Sequence, residues 1–277
     1  NWKDVTQRLP VVQFSAPKQK ALDSPFFYNF NSEYDNFWRD RGYGVQRTDI
    51  WPRLYYPYSF RPYFTLEPSV GLRQTMWDQY KTDGADAWSD DEYLHREIYD
   101  ARVGLSTEVY KVYATEREGF EKVKHSVKPE LAFTYVPEVE QDSLPNIDYR
   151  DRLEKRTRIS YAVTHTLTSK ALKVTDARSD DLPEDNARAS ITSLGEYDYH
   201  DFLRFKLGQF YDISRNVYNR PYDEIHPFSS LDGKLTFSPV SAVSLDSEAK
   251  YNFYDDRFDL FNAGITLAPR KKDRLSL

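Results

Sequence analysis

The chain has no cysteine and a single methionine among its 277 residues. Without thiols it forms neither disulfides nor thiolate metal sites, and it has no cysteine nucleophile. Long hydrophobic runs are also missing. No stretch approaches the roughly 20 apolar residues that a spanning helix needs, so a helical membrane protein is excluded. A basic excess is missing too: 38 Lys and Arg stand against 44 Asp and Glu, which gives a pI near 5.5. A nucleic-acid surface needs the opposite sign, so no nucleic-acid partner is expected. No G-x-S-x-G, Walker or G-x-G-x-x-G pattern occurs. The five histidines, His95, His125, His165, His200 and His226, show no zinc-motif spacing. No catalytic residue, metal or cofactor is therefore expected. No methionine or apolar leader precedes Asn1, which reads as a processed or cut N-terminus.

Aromatic residues are what the chain has in abundance: 22 Tyr, 17 Phe and 5 Trp. Disordered chains are poor in such residues. The mean hydropathy of −0.76 describes a polar chain, yet a transmembrane β-barrel can be this polar. Only every second residue of its strands faces lipid, and the remainder face a wet lumen. Tyrosine suits the interfacial girdles, where the ring sits among acyl chains and the hydroxyl reaches water.

Helical periodicity is nearly absent and two-residue alternation runs throughout. In residues 63–77 one face reads Phe64, Leu66, Pro68, Val70, Leu72 and Met76, and the other reads Thr65, Glu67, Ser69, Gly71, Arg73 and Thr75. In 123–135 Val123, Val127, Pro129, Leu131, Phe133 and Tyr135 oppose Lys124, Ser126, Lys128, Glu130, Ala132 and Thr134. Comparable runs begin at Tyr99, Ile159, Leu203, Val243 and Asp259, and further strands are expected near Val11, Phe26, Val45 and Leu231. About eleven or twelve antiparallel strands result, several long enough to cross a bilayer when tilted. Short turns such as 254–257 alternate with long polar stretches at 78–96, 138–155, 179–199 and 216–226, the loop asymmetry of a barrel. The fold expected is an all-β, partial transmembrane barrel forming one domain over residues 1–277. A soluble sandwich of two antiparallel sheets also alternates, and it stays open as an alternative.

Some local features ask for more. The loop carboxylates Asp90-Asp91-Glu92, Asp180-Asp181 and Glu184-Asp185 have the ligand type of calcium sites, but solvated loop charge explains them as well. Pro57 and Pro62 flank 58–61 as a turn. Pro68 and Pro129 lie in mid-strand, where a residue without an N–H cannot complete a ladder. They are expected to mark bulges in the wall.

The run Val127-Lys128-Pro129-Glu130-Leu131-Ala132-Phe133-Thr134-Tyr135-Val136-Pro137 is followed by Asp142, Asp148 and Asp151-Arg152-Leu153, and then by Arg158-Ile159-Ser160-Tyr161. In that order these residues resemble the barrel of the LptD family, the lipopolysaccharide-assembly outer-membrane proteins also called organic solvent tolerance proteins. The run 202–211, with its Gly208-Gln209-Phe210-Tyr211, resembles a later strand of that family, as do 9–14 and 66–73. The resemblance implies a translocon that moves lipopolysaccharide into the outer leaflet of the Gram-negative outer membrane without covalent chemistry. It also implies a lipoprotein plug (LptE), a periplasmic bridge (LptA) and contact with outer-membrane lipids. On strand count the chain reads as about half of such a barrel, a middle segment without the periplasmic jellyroll or the terminal strands.

On this reading the polar faces line the lumen. Glu67, Arg73, Arg102, Lys124, Lys128, Glu130, Arg158, Arg204 and Lys206 become candidates for contact with substrate or plug. Mixed charge keeps such a lumen wet without building a single-sign trap for phosphates. A porin-like or substrate-specific channel shares the same pattern and remains an alternative, as does a carbohydrate-binding sandwich.

Overall fold

A computed structural model of the chain describes residues 6–40, 42–81, 93–115, 121–172, 197–214, 226–240, 242–270 and 273–276. All regular structure among them is β-strand. The strands are β1 (Gln7–Lys20), β2 (Phe27–Trp38), β3 (Tyr43–Tyr55), β4 (Tyr58–Phe60), β5 (Phe64–Lys81), β6 (Tyr93–Ser106) and β7 (Val109–Ala114). They continue with β8 (Lys122–Val136), β9 (Arg156–Leu172), β10 (Tyr197–Asp212), β11 (Leu231–Val240), β12 (Val243–Asn252), β13 (Arg257–Arg270) and β14 (Asp273–Ser276). They form one antiparallel sheet in the order β1-β2-β3-β5-β6-β8-β9-β10-β11-β12-β13-β14, with β4 beside β5 and β7 beside β8. Consecutive strands are neighbours, as in a barrel wall built by hairpins. Among the described residues the order is open, with β1 and β14 at its ends, which is the sheet of a partial barrel.

The chain divides into two compact units. The first comprises residues 1–106, 131–160 and 210–228, and the second comprises 107–130, 161–209 and 229–277. In the first, the register β2–β3–β5–β6 sets like faces side by side: Glu33, Asp49, Thr75 and Arg96 form one cross-strand row, and beside it Asn31 pairs with Trp51 and Arg73 with Ile98, with the Arg73 guanidinium 5.6 Å from the Trp51 ring centre. Arg73 and Thr75 are on the face of residues 63–77 expected to be polar, and the register brings the others onto that same face. The polarity of burial is the reverse of a soluble protein's. Ser69 and Thr75 are 5% and 1% exposed, whereas Val70 and Leu72 on the opposite face are 55% and 63% exposed. A sandwich would bury the second pair against another layer. A barrel wall turns it to lipid.

The second unit repeats the alternation. Leu203, Phe237, Leu245 and Ile265 form a cross-strand apolar row, and the neighbouring row on the other face is Arg204, Thr236, Asp246 and Gly264. The β12–β13 turn closes over 253–256, with Asp256 at a φ of 49°. The Asn252 side-chain oxygen accepts from the Tyr254 N–H at 3.0 Å and stabilises that turn.

Three expectations need correction. Strands β5 and β6 run to Lys81 and from Tyr93, well into the stretch expected as a loop from 78 to 96. Residues 58–60 are not a turn but the strand β4, and the turn lies at 61–63, with Tyr63 N–H donating to Phe60 at 2.8 Å. Pro68 does not make a bulge. Around Pro68 the register holds from Tyr43↔Lys81 to Phe60↔Phe64 on one side and from Thr65↔Ser106 to Asp78↔Tyr93 on the other. Each proline instead faces the interruption of a neighbouring strand. Tyr56, between β3 and β4, donates its N–H to the Pro68 carbonyl at 3.0 Å, and Thr107, between β6 and β7, donates to Pro129 at 3.3 Å. Neither proline has an N–H to return, so a rung is lost at each, and at Pro68 the register stays in phase. The real register shifts include those at Leu9-Pro10, Pro17-Lys18, Ser238-Pro239 and Ala268-Pro269, all nearer strand ends. The carboxylate clusters at 90–92, 180–181 and 184–185 lie outside the described residues, as do most of the expected loops at 179–199 and 216–226.

Candidate functional site

Residues 138–155, expected to be a long polar loop, pack against the polar face of β2, β3, β5 and β6 within the first unit. The docking is ionic. Arg47 on β3 sends one terminal nitrogen to Asp148 at 2.7 Å and Asp151 at 2.8 Å, and the other to Asp35 at 2.8 Å and Asp148 at 2.9 Å. Its side chain is buried, as are those of Asp35 and Asp151. Asp151 has no lone pair to spare. One of its oxygens takes Arg47 and the indole N–H of Trp77 at 3.1 Å, and the other takes the backbone N–H groups of Ile147 at 2.7 Å and Asp148 at 3.0 Å. Burying a carboxylate is tolerated when its bonding capacity is filled this way.

Arg96 fixes the same segment through its backbone. It donates to the Asp151 carbonyl at 2.7 Å, to Gln141 at 2.8 Å and to Thr75 at 3.1 Å, with its guanidinium 5.2 Å from the Trp77 ring centre. Gln141 then clips Leu153 in both directions, accepting its N–H at 2.9 Å and donating to its carbonyl at 2.8 Å. Farther along, Arg150 and Arg8 both pair with Glu33, and Arg73 forks onto Asp49 at 2.8–3.0 Å. Four arginines (Arg8, Arg47, Arg73, Arg150) thus pair with five carboxylates (Glu33, Asp35, Asp49, Asp148, Asp151), and Arg96 beside them, bonded to neutral acceptors, brings the formal charge of the cluster to zero. The planar guanidinium suits this role because it bonds two carboxylates at once and is more weakly hydrated than an ammonium.

In the docked segment, burial opposes ionisation of Asp148, but hydrogen bonds from Arg47 and from the Arg150 backbone outweigh it and hold the carboxyl below its ordinary range. The hydrogen bond to Glu33 raises Arg150 further above its already high value, against the pull of burial. Both groups stay charged at neutral pH.

The second unit carries its charge differently. Lys124 pairs with Glu108 at 3.4 Å, Lys128 and Lys206 both approach Glu130 at 3.0 and 3.8 Å, and Lys234 pairs with Glu248 at 3.1 Å. These are half-exposed lysines in a hydrated face, whereas the first unit sequesters arginines.

The candidates named from the sequence are therefore scattered. Lys128, Glu130 and Lys206 come together. Glu67 pairs with Lys18 at 2.6 Å, Arg73 with Asp49, and Arg158 with Asp212 at 2.7 Å beneath the Phe210 ring. Arg102 and Arg204 are exposed. Only Arg73 belongs to the central cluster. Arg47, Arg96, Asp35, Asp151 and Trp77 were missed. Alternation places Arg47, Asp49 and Trp51 on one face of β3, and that signal was available. Nothing local ties Asp148 and Asp151 to a strand a hundred residues earlier.

A family model described as LptD, LPS transport system D, matches residues 2–277. No curated protein matches the chain.

Proposed function

The chain belongs to the LptD family of lipopolysaccharide-transport proteins, and from that premise we propose that it forms part of the wall of the translocon inserting lipopolysaccharide into the outer leaflet of the outer membrane. The observation that carries the reading is the reversed burial of β5, where Val70 and Leu72 are exposed and Ser69 and Thr75 are covered. A wall of that polarity offers lipid on one side and a wet path on the other. Lipopolysaccharide needs both, because its head is polar and anionic and its tails are acyl chains. The polar face supports the same reading. Its charges are of both signs and mostly paired, so an anionic head passes over them without a single-sign trap. The work is non-covalent. Family membership points to the lipoprotein plug LptE and the bridge protein LptA as partners.

The test is repression of the native gene with complementation by the full-length protein. Repression is expected to remove newly made lipopolysaccharide from the cell surface, read by a non-permeant sugar label, and to leave small-solute uptake intact. Unchanged surface lipopolysaccharide together with lost solute uptake would instead identify a porin-like channel.

A further inference from the structure

Beside the ion cluster, within the first unit, lies a groove of about 400 Å³ whose lining includes Trp51, Tyr149, Glu33, Asp49, Arg73 and Arg150. Its size falls within the range of small-molecule sites, roughly 300–1,000 Å³. Two properties define its chemistry. First, both guanidinium groups are already engaged, Arg73 by a forked pair with Asp49 and Arg150 by Glu33. A phosphate would have to displace a carboxylate from a charge-assisted pair to gain either one. Second, two aromatic rings stand among hydrogen-bonding groups. The Arg73 guanidinium lies 5.6 Å from the Trp51 ring centre, and Tyr149 is 81% exposed.

Tyr149 is unusual among the exposed rings. Rings on the apolar face have acyl chains to cover them. Tyr149 is carried by the segment docked on the polar face, where lipid does not reach. It is also held in place. The flanking residues Asp148 and Asp151 are both anchored on Arg47, so the Tyr149-Arg150 pair is presented between two fixed points. An ordered, water-exposed aromatic above paired charges has the character of a stacking platform.

We propose that this groove binds the neutral sugar rings of the lipopolysaccharide head and not its phosphates. The proposal rests on the transport reading above. A sugar ring places its C–H face on Trp51 or Tyr149, and its hydroxyls donate to the Glu33 and Asp49 carboxylates and accept from the outer N–H groups of Arg73 and Arg150. None of these contacts requires an ion pair to open.

The experiment uses the full-length protein in cells, with Tyr149 replaced by photoreactive p-benzoylphenylalanine. A second variant carries the same replacement at Thr134, on the polar face but outside the groove. Cells make either lipopolysaccharide with its complete core sugars or a form truncated to lipid A and the innermost phosphorylated sugars. The adduct at position 149 is expected to fall roughly threefold or more with the truncated form, while the adduct at position 134 does not change. Trp51→Leu is expected to lower the position-149 adduct to a similar degree. Equal adducts at 149 from both forms would overturn the proposal, since the contact would then be with phosphate or lipid. No adduct at 149 beside a clear one at 134 would overturn it as well. Absence at both positions would overturn the transport reading itself.

Discussion

Arg47 and Asp151 stand 104 residues apart in sequence and 2.8 Å apart in space, with side chains no more than 1% exposed. The pair closes residues 138–155 onto the barrel wall, and its consequences are testable. Asp151→Ala removes one carboxylate that serves Arg47, Trp77 and two backbone N–H groups. It leaves a buried guanidinium short of a partner, a change that costs about 3–5 kcal/mol. The urea midpoint of the detergent-solubilised full-length protein is expected to drop accordingly. Arg47→Lys is expected to recover little, because one ammonium cannot span three carboxylates as a forked guanidinium does. Full recovery by lysine would show that the charge alone matters.

Acidification tests the same docking from another side. Asp148 is held below its ordinary value of 3.8. Its contribution is therefore fully present above that value and is lost as pH falls through the lower, folded-state value. Hydrogen exchange of the Ile147 and Asp148 amides is expected to show unchanged protection from pH 7 to 5, after correction for the intrinsic rate, and release only below 3.8. Loss of protection already at pH 5 would contradict the lowered value.

The face assignment predicts an asymmetry between neighbouring positions. Leu72→Arg and Leu131→Arg put a cation into lipid, at about 2–4 kcal/mol near the bilayer midplane. Thr134→Arg puts it on the polar face. Heat-modifiability gels are expected to show loss of the folded band for the first two and its retention for the third. Equal loss in all three would mean that the faces are misassigned.

The prolines give a smaller effect of defined sign. The Tyr56 and Thr107 amides donate to Pro68 and Pro129 and should be protected from exchange. Pro68→Ala restores an N–H in a register that is already continuous, so position 68 is expected to gain a protected amide. Stability should change by no more than about 1 kcal/mol, because the gained bond and the added freedom of the unfolded chain nearly offset each other. An unprotected amide at 68 would show that the register there is not the one described.

Two-residue alternation was enough to locate most strands and to sort Val70 and Leu72 from Ser69 and Thr75. Side-chain direction along a strand is local and follows from the pleat alone. It also gave the approximate strand number, since the ordered sheet has twelve strands once β4 and β7 are taken as continuations. Composition alone excluded thiol chemistry and spanning helices. What only the tertiary structure decided is which charges meet. Asp148 and Asp151 look like solvated loop acids until the segment folds back and Arg47 takes them out of water, and that pairing depends on a long-range contact with no local signature. The prolines show the same division. Sequence reveals that an N–H is missing at Pro68, but whether the strand answers with a bulge or loses a rung in phase depends on the neighbouring strand, here interrupted at Tyr56.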